Sequence, residues 1–442
     1  MFKIKLDDLS PWQFLVLGYI IVITIGTLLL MMPTATVEGK TTSIIDALFT
    51  STSATAVTGL IVVNTAEQWT RFGHTVIMFL IQIGGFGFMT STTIIFLLIG
   101  RKVLLRERLI IMEDLNFNKI SGVIDLTKYV IILTFTIEIT GAFLLYLYFQ
   151  KIMSASRAAY FSIFHSISAF NNAGFDLFGN SLENFVSSTY INIIISFLFI
   201  LGGLGFIVIE EIYQKLEFRK LSLHSKIVLS MTFLLIVVGS ILLFMIEYNN
   251  PATIGSYSLK NKIIASYFHG VTPRTAGFNT IPLGQFKDVS LFIIIILMFI
   301  GASPGSTGGG VKTTTFGTLL FVMFSMVRGK EDIEVFSRRI KRKDVYKTLT
   351  VVAISLIVVS IVILVLTSTE NFAFIHIIFE VLSAFGTVGL STGITGGLSN
   401  VGKIFIIITM FIGRVGPVTI AMAIGKKIHK NIRYPEEDIL IG

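Results

Sequence analysis

The 442-residue chain contains no cysteine. Disulfides, thiolate metal sites and cysteine nucleophiles are therefore excluded, while nothing follows about compartment. Charge is scarce too. Only 14% of residues are Asp, Glu, Lys or Arg, where a soluble domain carries about 25%. So little charge cannot cover a water-facing surface, which rules out a wholly soluble protein. No His-x-x-x-His pair occurs, and no two acids face each other within an apolar run, so an intramembrane enzyme lacks its machinery. No Gly-x-Gly-x-x-Gly turn on a strand–helix unit is present either. The chain is expected to bind no cofactor, and nucleotide control has to come from a partner.

Apolar sequence fills the chain instead: 53% of residues are hydrophobic and 12% aromatic, which excludes disorder. A helix needs roughly 20 apolar residues to cross a bilayer. Eight runs qualify, near 12–32, 72–99, 128–149, 189–213, 226–247, 289–325, 345–367 and 402–425. The first is too long for a signal-peptide core and lacks a small-residue cleavage site, so it counts as a span. The sixth is interrupted near 301–310. Between the members of each pair lies a shorter semi-apolar segment, at 44–55, 159–170, 262–272 and 374–385. Such lengths suit re-entrant or interfacial helices.

Each short segment runs into a small polar cluster ending in glycine: Val57-Thr58-Gly59, Asn172-Ala173-Gly174, Thr275-Ala276-Gly277 and Thr387-Val388-Gly389. Phe49, Phe164 and Phe379 stand ten residues before their glycines, and Ser53, Ser168 and Ser383 six before. The third unit is one residue shorter, with Phe268 nine before Gly277. The period is therefore a unit of span, short helix, glycine loop and span, written four times. The expected fold is an all-α polytopic membrane protein with four parallel span–pore-helix–span repeats around a pseudo-fourfold axis. The units are 1–100, 101–218, 219–330 and 331–442.

The formal charge of +9 is read as topology, with nucleic acid set aside as a partner. The termini and the loops between units hold 23 basic residues, against nine on the side of the short helices. The positive-inside rule puts both termini in the cytoplasm and the glycine clusters at the outer side of a multi-pass bacterial plasma membrane protein, in contact with lipid.

Non-helical backbone at membrane depth survives only when buried in protein or lining a wet cavity. Four such loops about one axis place four sets of carbonyls around a common hole, where a cation exchanges its water for backbone oxygen. Carbonyls suit a weakly hydrated monovalent ion, whereas divalent ions favour carboxylates, which none of the clusters contains.

These residues carry a resemblance. The stretches around Ser53–Leu60, Ser168–Phe175 and Thr272–Asn279, with Gly413-Arg414-Val415-Gly416-Pro417, resemble the Trk/Ktr/HKT superfamily of potassium transporters, and within it the bacterial Ktr membrane subunit of the KtrB/KtrD type. The resemblance covers essentially the whole chain. It implies that the four clusters form one selectivity filter binding K⁺ through backbone carbonyls. It further implies a homodimer with two separate pores and a cytoplasmic ring of RCK-type subunits that bind ATP or ADP. Potassium is then the transported ion, with Na⁺ as the candidate activator of a sodium-dependent system. Only Thr387-Val388-Gly389 matches the Thr-Val-Gly of potassium channels, so imperfect rejection of Na⁺ is expected.

The break in the sixth span, Gly301 to Lys312, holds too many glycines and a proline to remain helical. It approaches a phosphate-binding loop, but Val311 stands where the second glycine belongs and no strand precedes it. Gly305, Ser306, Thr307, Gly308, Gly309 and Gly310 are read as a flexible intramembrane gate. Lys312 at its end is expected to pair with a carboxylate or snorkel. Arg414 is expected to face protein or water, because a central arginine is costly in lipid. The resemblance implies that it lies beside the gate and raises a positive barrier. Glu138 is read as a structural hydrogen-bonding group. His165, His269 and His376, at similar offsets on the short helices, are read as packing or interface hydrogen-bonding groups rather than a metal site, and Arg274 as a brace for its loop and the neighbouring helix. The leading reading is a gated conduit passing ions down their gradient. The alternative is a Na⁺- or H⁺-coupled secondary potassium transporter.

Overall fold

A computed structural model describes residues 10–87, 90, 91, 93, 105–114, 122–330, 332–424, 435 and 437. The C-terminal tail and the basic residues Lys3, Lys5, Arg101, Lys102, Lys119, Lys426, Lys427, Lys430 and Arg433 lie outside these.

The chain is a multi-pass helical membrane protein. Its leading helices are Pro11–Leu30, Val123–Phe149, Leu223–Glu247 and Arg342–Thr369. Each is followed by a short helix: Ile44–Thr55, Ala155–Phe170, Leu259–Val271 and Phe374–Gly386. Trailing helices then begin at Arg71, Thr189, Asp288 and Asn400. Several starts are fixed by hydroxyl caps. Ser10 forms a capping box with Gln13, and Thr70, Ser188 and Ser399 accept the amide three residues on. Outward faces of the leading helices expose Ile20, Ile25, Ile132, Phe143 and Phe233, which suits a hydrocarbon solvent.

The short helices form the centre. Phe49, Phe164, Phe268 and Phe379, the phenylalanines that mark the repeat, are all fully buried. Three of the leading helices admit their short helix at a glycine. Gly26 faces Ser51, Gly141 faces Ser166 and Gly239 meets Gly270. Ser51 and Ser166 donate to the carbonyls of Ile23 and Glu138, at 2.8 and 2.6 Å.

The trailing helices depart from expectation. The runs 189–213 and 402–425 are not straight spans. Thr189–Leu204 and Phe206–Lys215 meet at 97°, and the bend in the last unit is 92°. The third trailing helix stops at Ile300, and a helix resumes only at Thr313. The first ends at Phe86. All four stop at a glycine of positive φ: Gly87, Gly205, Gly301 and Gly416, at 83°, 96°, 58° and 93°. Such angles suit glycine and interrupt a right-handed helix. A hairpin of Glu334–Val335 and Arg338–Arg339 lies in the connection to the fourth unit.

Candidate functional site

The short helices deliver their C-terminal ends to one place. Just beyond each, the residue two before the glycine is left-handed: Val57, Asn172, Thr275 and Thr387 have φ of 56°, 61°, 70° and 50°. A side chain there costs about 1–2 kcal/mol, so four matched instances mark a constrained turn rather than chance. The next amide turns back onto its helix. Thr58, Ala173 and Val388 donate to the carbonyls of Ser53, Ser168 and Ser383, at 2.7, 2.7 and 2.8 Å. In the shorter third unit Ala276 donates to Thr272, at 3.0 Å. Hydroxyls fix the outgoing limb. Ser53 accepts from the Gly59 amide at 3.1 Å, while Ser168 and Thr272 donate to the carbonyls of Phe175 and Phe278 at 2.7 and 2.6 Å.

The four glycines meet in a ring. A methyl group placed on Gly59 would stand 3.0 Å from the Cα of Gly174, and one on Gly174 2.9 Å from the Cα of Gly277. On Gly277 it would stand 2.6 Å from the Val388 carbonyl, and on Gly389 2.9 Å from the Cα of Gly59. The loops are thus neighbours in the cyclic order one, two, three, four, one. There is no room for a side chain on the inner edge. Val57, Thr58, Asn172, Ala173, Thr275, Ala276, Thr387 and Val388 are all fully buried around it.

Further polar groups hold the outgoing limbs, in keeping with the hydrogen-bonding roles expected of His165 and Glu138, and joined by Glu380, which sequence reasoning missed. Nine residues before its glycine, His165 faces the Leu177 amide through Nε2 at 3.3 Å and the Phe161 carbonyl through Nδ1 at 2.7 Å. At the same offset in the fourth unit stands Glu380, which accepts from Ser391 at 2.8 Å and Thr395 at 2.5 Å. The signal available was an acid inside the apolar run Phe379-Glu380-Val381. His269 uses Nδ1 on its own helix, facing the Ala265 carbonyl at 3.0 Å. His376 lies in the first turn of its helix and does not share the position, so the three histidines are not equivalent. Glu138 accepts from Asn171 at 2.8 Å, beside the second loop. Arg274, expected as a brace, makes no hydrogen bond through its Nε or Nη1 among the described residues.

Residues 301–312 lie against the ring on the side of the helix breaks, tied to the second and fourth units as well as to their own. Ser303 and Thr307 donate their amides to the carbonyls of Gly203 and Gly202, at 3.0 and 3.2 Å, and the Gly305 carbonyl accepts from Phe206 at 2.9 Å. Ser306 Oγ closes a turn on the Ser303 carbonyl at 2.6 Å. Gly310 donates to Gly413 at 3.3 Å. The left-handed ring residues reach down to the same segment. Thr307 Oγ1 donates to Asn172 Oδ1 at 3.0 Å, and the Gly309 amide donates to Thr387 Oγ1 at 2.9 Å. Gly308 packs on Thr275, where a side chain would collide with its hydroxyl.

Two cations clasp the segment. Arg414 donates to the Thr307 carbonyl and, through its other terminal nitrogen, to the Gly84 carbonyl of the first unit. Lys312 donates to the Gly308 carbonyl at 2.6 Å. It neither snorkels nor meets a carboxylate, because the loop folds back and offers a carbonyl four residues away. Arg414 stands two residues before the break glycine Gly416, where the first and second units have Gly85 and Gly203 before Gly87 and Gly205.

The comparisons agree with this architecture. A family model described as "TrkH: Cation transport protein" matches residues 10–432. The chain is 44% identical over 439 residues to Ktr system potassium uptake protein B of Bacillus subtilis (strain 168), covering 99% of this chain and 98% of that one. It is 42% identical to the potassium/sodium uptake protein NtpJ of Enterococcus hirae, covering 98% of each. The crystal structure of the potassium transporter TrkH from Vibrio parahaemolyticus superposes with a TM-score of 0.74 at 19% identity, covering 96% of this chain and 86% of that one. The fold is thus that of a solved ion transporter, and these relatives are transporters rather than enzymes. The chain belongs to the TrkH family of cation transport proteins.

Proposed function

We propose that the chain is the ion-translocating membrane subunit of a Ktr-type potassium uptake system. It passes K⁺, with imperfect exclusion of Na⁺, down the electrochemical gradient through the ring of Gly59, Gly174, Gly277 and Gly389. The observation that carries this reading is the convergence of four side-chain-free loops on one ring. Such backbone at membrane depth is supported where its carbonyls serve an ion. The short helices add to it, because their C-terminal ends, which carry partial negative charge, abut the ring and favour a cation. The names of the Bacillus and Enterococcus relatives supply potassium and sodium as the ions.

The segment from Gly305 to Gly310 is the gate, with Lys312 and Arg414 as its clasps. Its ties to Asn172 and Thr387 hold it across the inner mouth of the filter, and the two side-chain cations repel ions until it moves. The four units 1–100, 101–218, 219–330 and 331–442 surround one pore per chain, and two chains form a homodimer. The basic inter-unit loops face the cytoplasm, where a nucleotide-binding ring of RCK type regulates opening. The test is K⁺ and Na⁺ flux in liposomes, with and without the co-expressed regulator. Net flux that reverses at the Nernst potential of K⁺ supports a conduit. A fixed stoichiometry with Na⁺ or H⁺ would instead establish a coupled carrier.

A further inference from the structure

We infer that a small monovalent anion of the halide class occupies a niche behind the third glycine loop, with the guanidinium of Arg274 as its main ligand. Arg274 is only 6% exposed. Among the described residues its Nε and Nη1 have no hydrogen-bond partner, and Thr232 Oγ1 has none either. Both side chains line one small cavity of about 10 Å³, walled otherwise by apolar groups such as Phe199, Ile200 and Ile236. A buried guanidinium with Nε and Nη1 unpartnered is strongly unfavourable, and here it adjoins Thr275 of the ring.

The internal repeat shows what is missing. Arg274 stands three residues before Gly277, as Asn171 stands three before Gly174. In the second unit the Asn171 amide donates to Glu138 at 2.8 Å and to Gln82 at 3.4 Å. Gln82 stands five residues before the break glycine Gly87, and Ile200 holds that place before Gly205. Glu138 stands three residues before Gly141, which admits the second short helix, and Ile236 stands three before Gly239, which admits the third. A neutral amide therefore has a carboxylate and a second amide, whereas the cationic guanidinium has two isoleucines.

An anion from outside restores the missing charge. One cation, one hydroxyl and apolar walls suit a compact spherical monoanion, which needs few directed donors. A lipid headgroup phosphate is the other source of the same chemistry. Thr232, however, lies nine residues into its helix, roughly 13 Å along the axis, and a headgroup would have to thread between helices to reach it. Occupancy of the niche stands on these residues alone. Its effect on transport rests on the filter proposed above: an unpaired Arg274 opposes cations in the ring, and a paired one does so far less.

The test has two readouts on the full-length protein. Crystals grown with bromide replacing chloride should give an anomalous peak within hydrogen-bond reach of Arg274 and Thr232. In phosphatidylcholine liposomes, replacing chloride by gluconate should lower Rb⁺ uptake at least about fivefold. Ile236→Glu supplies the carboxylate that the second unit carries. It should abolish the bromide peak and make uptake indifferent to chloride. Thr232→Val, a milder change that keeps the fold should the first variant fail to assemble, should weaken the peak. No bromide peak in the native protein, or a phospholipid headgroup seated in the niche, overturns the site. A peak with chloride-indifferent uptake overturns its link to the filter. A peak with no selective Rb⁺ uptake in either anion would instead mark failure of the transport reading, with the site intact.

Discussion

Arg414 and Thr307 are separated by 107 residues, yet the guanidinium of one donates to the main-chain carbonyl of the other. The same guanidinium holds the Gly84 carbonyl of the first unit. One side chain thereby staples a glycine-rich segment of the third unit to a helix of the first. Two hydrogen bonds from a charged donor contribute about 1.5–3 kcal/mol each. Arg414→Ala should therefore raise K⁺ flux without activator by at least about tenfold, since roughly 1.4 kcal/mol is a factor of ten. Proteoliposome flux at matched protein content checks this, and unchanged or lower flux refutes the clasp. Arg414→Lys should fall between, because lysine cannot span both carbonyls with one planar fork.

Thr387 links the ring to the 301–312 segment without charge; under the proposed gate this tie should matter. Thr387→Val removes the acceptor of the Gly309 amide while keeping the shape, at a cost of about 1–3 kcal/mol for the orphaned donor. Basal flux should rise modestly. Combined with Arg414→Ala the gain should be less than additive, because both residues hold the same segment.

Glu380 is a positioning residue for the fourth loop. Glu380→Ala leaves the hydroxyls of Ser391 and Thr395 without their acceptor, a loss of about 1–3 kcal/mol for each. The K⁺ over Na⁺ uptake ratio should fall even where the protein still reaches the membrane in normal amount. Glu380→Gln retains an acceptor and should recover most of the ratio. Equal ratios in all three proteins would remove Glu380 from selectivity.

Gly277 and Gly39 make a paired control. Both have positive φ, 77° and 66°, but Gly39 has open space around it whereas a methyl on Gly277 meets the Val388 carbonyl and Gly174. Gly39→Ala should cost about 1–2 kcal/mol in conformation alone and leave transport intact. Gly277→Ala should abolish selective uptake. Loss of uptake in both variants would mean that backbone strain, not crowding at the ring, sets the requirement.

The third, Thr-Ala-Gly loop and its dissimilar neighbours should also limit discrimination. In liposomes Na⁺ should compete measurably with Rb⁺ uptake, and strict multi-ion K⁺ selectivity would count against the reading.

The glycine spacing was legible because the same turn is written four times, so each copy corroborates the others. The phenylalanines before each glycine mark the same buried position for the same reason. The bends at Gly205 and Gly416 were not legible, since hydropathy averages across a single glycine in an apolar run. The left-handed residues carry no signal common to all four: Val57, Asn172, Thr275 and Thr387 share a backbone angle, while only the last two share a side chain. Glu380 is not legible from the repeat, because one acid in one unit has no counterpart in the other three. The setting of Arg274 is not legible either, because sequence shows the neighbour in the chain, Thr275, and not the isoleucines across the niche.

The substitution of arginine where two sister units keep glycine has a mechanical corollary. A device built from four equal quarters would be expected to dilate evenly, like an iris. If residues 301–312 act as the proposed gate, the lid comes from one quarter and its latch, Arg414, from the next. Release should swing a single flap aside, and the route for the ion should open off-centre while the other quarters stay still.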